Sequence, residues 1–245
     1  MATTAVSPGL LVSPAERDRK FYTGMAIAML FTALIGFSRT YFLGLISGHA
    51  TTITGRVPNV TVHLHALLFT SWLVLFIVQT RLVATHRVKV HRKLGYFGVA
   101  LAAAMIVVGG RTAVEAARLG AVPPGANPWS FMAIPFGDIT TFAIFFLGAV
   151  LWRNNRDKHK RLMVLASASL MPAALVRWLL PLGPLASYGF ALLFPIAGAL
   201  YDQWSRRRVH PVYWWGLAVI VLGVAARVAL LSSPAFRHAM QSLFG

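Results

Sequence analysis

Six ionisable residues and two histidines interrupt apolar stretches of the chain: Arg39, His63, His65, Arg111, Glu115, Asp138, Arg177 and Arg227. Such groups are expensive inside a bilayer and mark a partner, a cavity or a ligand. Four arginines against two carboxylates leave a net positive set, so a cavity shared by them would favour an anion. Arg39, Arg111, Arg177 and Arg227 are the candidate anion-binding residues. His63, His65, Glu115 and Asp138 carry the donor types of a metal site or of general acid–base chemistry. Asp138 follows "FMAIPFG" and needs a cation or a proton beside it, with Arg111 a candidate partner across the bundle. Arg111 and Glu115 are also spaced i,i+4, which would let them neutralise each other on one helix face.

His63 and His65 open "VHLHALLFTSWLVLFIVQT". On a helix, residues i and i+2 lie roughly 200° apart, so one helix cannot aim both at one ligand. Trp72 and Gln79 recur on the His65 face. That favours His65 as the interior group, with both histidines interfacial as the alternative reading. A second histidine pattern begins two later stretches: "HRKLG" at His91 and "HKRLM" at His159, each followed some nineteen residues on by an arginine, Arg111 or Arg177. Gly95, Gly98, Ala102 and Gly109 share a face with His91, a strip of small residues suited to a close helix or a flat ligand.

The elements that position these groups follow from composition. Only 12% of residues are charged and 57% are hydrophobic, well short of the roughly 25% charge of a soluble domain. The fold class is all-α integral membrane. Seven stretches approach the length of a membrane-crossing helix, near 21–45, 60–82, 94–117, 131–152, 161–180, 185–203 and 212–232. Residues 1–20 read as a flexible cytoplasmic tail, 21–232 as one seven-helix domain and 233–245 as a short external tail. Threading the seven alternately puts sixteen of the 23 Lys and Arg on one side: Arg17, Arg19, Lys20; Arg81, Arg87, Lys89, Arg92, Lys93; Arg153, Arg156, Lys158, Lys160, Arg161; Arg206, Arg207 and Arg208. Positive-inside bias then predicts a cytoplasmic N-terminus and an external C-terminus. It also explains the +17 net charge without a nucleic-acid partner. The eight interrupting residues all fall towards the external ends. Spans two and three against four and five, with their matched His and Arg, read as a degenerate hairpin repeat forming the core.

The pattern "HLH", Gln79 and "HRKLG" resembles bacterial multi-pass membrane families sharing an HLH…Q…HRxLG arrangement. More distantly, over about residues 60–180, it is similar to transmembrane b-type cytochromes and ferric-reductase-type membrane domains. That resemblance implies haem b as cofactor and His65, His91 and His159 as axial candidates, with Arg111 and Arg177 among the cofactor-binding residues. The departure is that no second histidine faces His65, whereas His91 and His159 would form a pair if spans three and five are neighbours.

These observations frame three expectations for a protein of the bacterial inner membrane in contact with the lipid bilayer. The first is a haem-associated redox or haem-handling role with an electron-transfer or respiratory membrane partner. The second is a proton-coupled transporter of a small anionic solute. The third is a non-catalytic assembly factor of a respiratory complex. The chain has no cysteine, which excludes thiolate chemistry. All five lysines, 20, 89, 93, 158 and 160, lie at the cytoplasmic side, so none is available for a mid-span Schiff base.

Overall fold

The structure is a computed structural model and describes residues 13–245. Residues 1–12 of the expected tail lie outside the described residues. No strand occurs among the described residues, and the helices are α1 (Pro14–Phe37), α2 (Leu43–Ser47), α3 (Val60–Ala84), α4 (Val88–Arg118), α5 (Pro128–Phe131), α6 (Ala133–Leu151), α7 (Arg156–Ala168), α8 (Pro172–Trp178), α9 (Pro184–Ala191), α10 (Leu193–Arg206), α11 (Pro211–Leu231) and α12 (Pro234–Phe244). A π-helical turn over Ser38–Phe42 joins α1 to α2.

Among the described residues, six helical stretches are long and apolar enough to cross a membrane: Pro14–Ser47, Val60–Ala84, Val88–Arg118, Pro128–Leu151, Pro184–Arg206 and Pro211–Leu231. Large apolar side chains face outward along them, among them Leu67, Val74, Tyr96, Val107, Trp215 and Leu222. Water would not tolerate so continuous an apolar exterior, whereas lipid makes it the ordinary outer surface of a multi-pass membrane protein.

The expected fifth span departs from one continuous helix. Residues 161–180 divide into α7 and α8, because Pro172 has no N–H to bond Ala168 and its ring crowds that turn. Ser167 and Ala168 instead accept tight-turn hydrogen bonds from Leu170 (3.3 Å) and Met171 (3.0 Å). Irregular backbone at this depth persists where protein, not lipid, surrounds it. The burial is in keeping with that: Leu162, Val164, Leu165, Ala166, Ser167 and Ala168 are all buried. Around this central segment, Trp72 meets Phe142 and Phe146 edge-on, with centroids 5.1 and 5.4 Å away, and donates from Nε1 to Ser167 Oγ at 3.2 Å. The stripe assigned to Trp72 therefore does face the interior.

Both expected tails are corrected in part. Residues 14–20 belong to α1, whose first turn is capped by Ser13 accepting from the Glu16 N–H, with Pro14 already holding a helical φ. Residues 234–244 form α12, which packs on α5. Phe244 also stacks on Phe136 of α6 at 6.1 Å, and its carbonyl accepts from Arg118 Nε, at the end of α4, at 2.6 Å.

A network of opposite charges ties one end of the bundle. Arg161, fully buried, donates through Nε and Nη2 to the buried Asp202 carboxylate at 2.7 and 2.5 Å, and through Nη1 to the Asp157 carbonyl at 2.7 Å. Asp18 accepts from Lys160, Arg206 and Tyr201. These bonds join the start of α1 and α7 to the end of α10. Asp157, beyond the long apolar helices, is partly buried, which opposes ionisation, yet Arg161, Lys160 and Arg206 hold its carboxyl down to about 2. A carboxyl lowered on folding contributes stability above its ordinary value near 3.9, and loses that contribution as pH falls through the folded value. The melting temperature in detergent is therefore expected to fall between about pH 4 and pH 2, with Asp157→Asn flattening part of that slope. The effect is modest because the side chain is 49% exposed and solvent screens its pairs.

Candidate functional site

The eight residues expected in one outer layer do not converge on one cavity. Arg39, in the π-helical turn, and Arg111 are exposed. His63 is also exposed and shares a hydrogen bond with the Tyr41 hydroxyl through Nδ1 at 2.8 Å. Glu115 does not pair with Arg111. It accepts instead from Asn59 Nδ2 at 2.5 Å, the side chain whose oxygen caps α3, so it ties the start of α3 to the end of α4. His65 stacks on Phe69 with centroids 4.1 Å apart, and its Nδ1 is buried without a hydrogen-bond partner. Arg177 sits over the Phe37 ring at 4.0 Å and bonds the Ala173 carbonyl through Nη1.

Each of these groups thus meets its own neighbours or the surface, and none of them meets another of the set. The expected metal set of His63, His65, Glu115 and Asp138 is not assembled, and no group of three or more metal-ligating side chains occurs among the described residues. The anion set is likewise divided, with Arg227 alone joined to Asp138.

Asp138 and Arg227 form the best-built polar site within the apolar region. Asp138 sits one turn into α6, and Arg227 sits one turn before the end of α11. Arg227 is 4% exposed and lies 3.3 Å from Asp138 Oδ1 through Nη2. The same nitrogen donates to Thr141 Oγ1 at 2.7 Å, and Thr141 in turn donates to the Gly137 carbonyl at 2.8 Å. Tyr188, on α9, donates its hydroxyl to Asp138 Oδ1 at 3.1 Å, and its ring stands 5.7 Å from the guanidinium. Gly137 makes the approach possible, because a Cβ there would overlap Arg227 from Cγ to Nε. The expected partner Arg111 is replaced by Arg227, since α11 packs on α6 at this level while Arg111 points away from the protein.

Beside the pair lies a partly enclosed cavity with room for about one water. Ser169 and Pro172 reach it from the α7–α8 break, and Ala191 and Leu192 from the α9–α10 break. Two interrupted helices therefore flank one buried ion pair. Sequence reasoning singled out Asp138 and Arg227 but neither Thr141 nor Tyr188. Thr141 carried a signal, being one turn from Asp138 on the same face.

No protein-family model, curated protein or solved structure matches the chain. Its chemistry has to be read from its own residues.

The third place is the expected His91–His159 pair. Each histidine is the fourth residue of its helix, α4 or α7, and their ring centroids are 6.3 Å apart at 82°. His159 Nδ1 donates to the Ala149 carbonyl at 2.8 Å. His91 Nδ1 lies 2.7 Å from the Gln79 amide nitrogen when that amide is turned to satisfy both of its neighbours. Two imidazoles with free Nε2 atoms are suitable axial donors for haem iron. The small-residue face beside them is not a porphyrin slot, however, because α3 and α6 already cover it. Gly95 meets Gln79, Gly98 meets Leu75, and Gly109 meets Phe69 and Ile139. The donor pair fits a metal and the surrounding face does not fit haem. Nor do His65, Arg111 and Arg177 join the pair, all three lying towards the other end of their helices.

Proposed function

We propose that this is a proton-coupled transporter of a small anionic solute, crossing the bacterial inner membrane seven times with its N-terminus in the cytoplasm. The seventh crossing in this reading is the broken α7–α8 segment. The observation that carries the function is the buried Asp138–Arg227 pair at a cavity between two helix breaks. Discontinuous helices with a charged site between them allow polar backbone and side chains to meet a solute at depth.

The pair suggests how the coupling works. Empty, the Asp138 carboxylate and Arg227 guanidinium neutralise each other. A monovalent anion competes with that carboxylate for the guanidinium, and a proton arriving on Asp138 releases Arg227 to bind it. The bound state, with neutral Asp138 and an anion on Arg227, then has the same net charge as the empty one. One proton and one anion move together, and no unpaired charge is left in the apolar region. Tyr188, holding Asp138 Oδ1, and Thr141, holding Arg227, keep the two groups in place when they separate.

The test uses the full chain in proteoliposomes loaded with a pH-sensitive dye, challenged in turn with nitrate, pyruvate and phosphate. Wild type should acidify the lumen with at least one anion, and Asp138→Asn should abolish that signal while the protein remains monodisperse. Absence of anion-dependent proton entry across the panel, or entry that survives Asp138→Asn, would sink the proposal. The haem-associated reading rests on the two histidine donors alone, and no residue specifically favours an assembly factor.

A further inference from the structure

His91 and His159 have an arrangement that neither the Asp138 site nor the fold requires. Both Nδ1 atoms are engaged on neighbouring helices, that of His159 by the α6 carbonyl of Ala149 and that of His91 by Gln79 of α3. Neither Nε2 has a hydrogen-bond partner among the described residues, and neither is sealed from solvent. A ring that donates one N–H to a carbonyl, as His159 does, presents its other nitrogen to a metal, and His91 reaches the same tautomer when the Gln79 amide oxygen faces its Nδ1. The separation also fits. An ion held in line between two imidazole nitrogens, each about 2.0 Å from it, places the ring centres about 6 Å apart, and the centroids here are 6.3 Å apart.

We infer that His91 and His159 form a two-coordinate site for Cu(I). The number of protein donors favours this metal. Among the described residues no third His, Asp or Glu joins the pair, whereas zinc sites take three or four protein ligands and the divalent ions of carboxylate sites take more oxygen donors. Cu(I) is a soft ion that imidazole suits, and its filled d shell is satisfied by two donors in line. Charge points the same way. Lys89, Arg92, Lys93, Lys158 and Lys160 surround the pair in sequence on both helices, and a monovalent cation meets half the repulsion there that a divalent one does.

Gln79 acts as a positioning residue. With its amide nitrogen facing His91 Nδ1 and its oxygen accepting from Gly95 N at 3.2 Å, the His91 proton resides on Nε2. Copper binding at Nε2 moves that proton through solvent to Nδ1, so the ring stays neutral, and the amide turns over so that its oxygen accepts from Nδ1–H. His159 needs no such change, because its Nδ1–H already donates to Ala149.

The experiment is an anaerobic titration of the detergent-purified full chain with Cu(I) against a chromogenic Cu(I) chelator, followed by X-ray absorption of the loaded protein. The expected result is one Cu(I) per chain with two nitrogen neighbours in a near-linear site. His91→Ala and His159→Ala should each weaken binding at least a hundredfold. Gln79→Glu, whose carboxylate accepts from Nδ1–H without turning over, should tighten it about tenfold. Sulfur neighbours in the absorption spectrum, equal binding of Zn(II), or Cu(I) retained by the His91→Ala/His159→Ala double variant would each overturn the inference. The wild-type absorption spectrum decides the donor set even if a variant fails to fold. An affinity unchanged in Gln79→Glu overturns the positioning role. None of these outcomes depends on whether Asp138 carries protons.

Discussion

Arg161→Ala is expected to be the most damaging single substitution in the protein, lowering stability by about 3–5 kcal/mol, the cost of leaving a buried charge without its partner. Both side chains of the Arg161–Asp202 pair are 0% exposed, and two parallel hydrogen bonds join them. With the guanidinium gone, the Asp202 carboxylate keeps only the His210 N–H at 3.2 Å and the Arg206 Nε at 3.8 Å. Neither replaces a bidentate partner. Asp202→Asn should be milder, because Arg161 retains Asp157 on its outer side. The double substitution Arg161→Met with Asp202→Leu should recover much of the loss, since it removes both charges instead of stranding one. Thermal unfolding in mild detergent, followed by tryptophan fluorescence, measures all three. An Arg161→Ala midpoint within a degree or two of wild type would show that the pair does not hold the end of the bundle.

Gly137→Ala is expected to abolish transport while leaving the chain assembled. The added methyl would lie 2.7 Å from Arg227 Cγ and 2.9 Å from Cδ, with Nε closer still. In a packed helix interface such overlap typically costs about 1–3 kcal/mol and is relieved by moving the flexible partner. Here the flexible partner is the functional group itself. Once displaced, the guanidinium can no longer keep both Asp138 and Thr141, and Asp138 loses the cation that makes its charged form tolerable in the apolar interior. Proton-coupled uptake should fall to the level of Asp138→Asn. Gly24→Ala is the control, because a Cβ there meets nothing within 4 Å and alanine is the better helix former. Wild-type uptake in Gly137→Ala would contradict the mechanism drawn from the ion pair.

The long helices were legible in the sequence because lipid demands one property, apolarity over a fixed length, and composition reports it directly. The stretch 161–180 was read as one unbroken helix for the same reason. Its apolarity is real, but it marks burial against protein, and hydropathy does not distinguish a lipid-facing side chain from one packed on Trp72. Pro172 was the residue that could have indicated the break. The Trp72 face was recovered from helical periodicity, and the His91–His159 pair from the two repeated motifs. The outer layer of charge failed because depth along a helix was treated as proximity. Residues at one level can point to opposite sides of the bundle, as Arg39 and Arg111 do on the outside and Arg227 does within. Asp202 was overlooked although it lies within an apolar stretch. With six acidic residues against 23 basic ones, every acid had its choice of partners, and the one buried deepest beside Arg161 had the strongest reason to be there.

The break at Ser169–Met171 bears on biogenesis. A segment that opens with "RDKHKR", runs on through "LMVLASAS" and is then interrupted by Pro172 offers the translocon no unbroken apolar helix of membrane-crossing length. Its neighbours α3, α6 and α11 are apolar enough to enter alone. The centre of the finished bundle is thus a broken helix, and α7 and α8 are expected to settle once α3, α6 and α11 are there to cover the break.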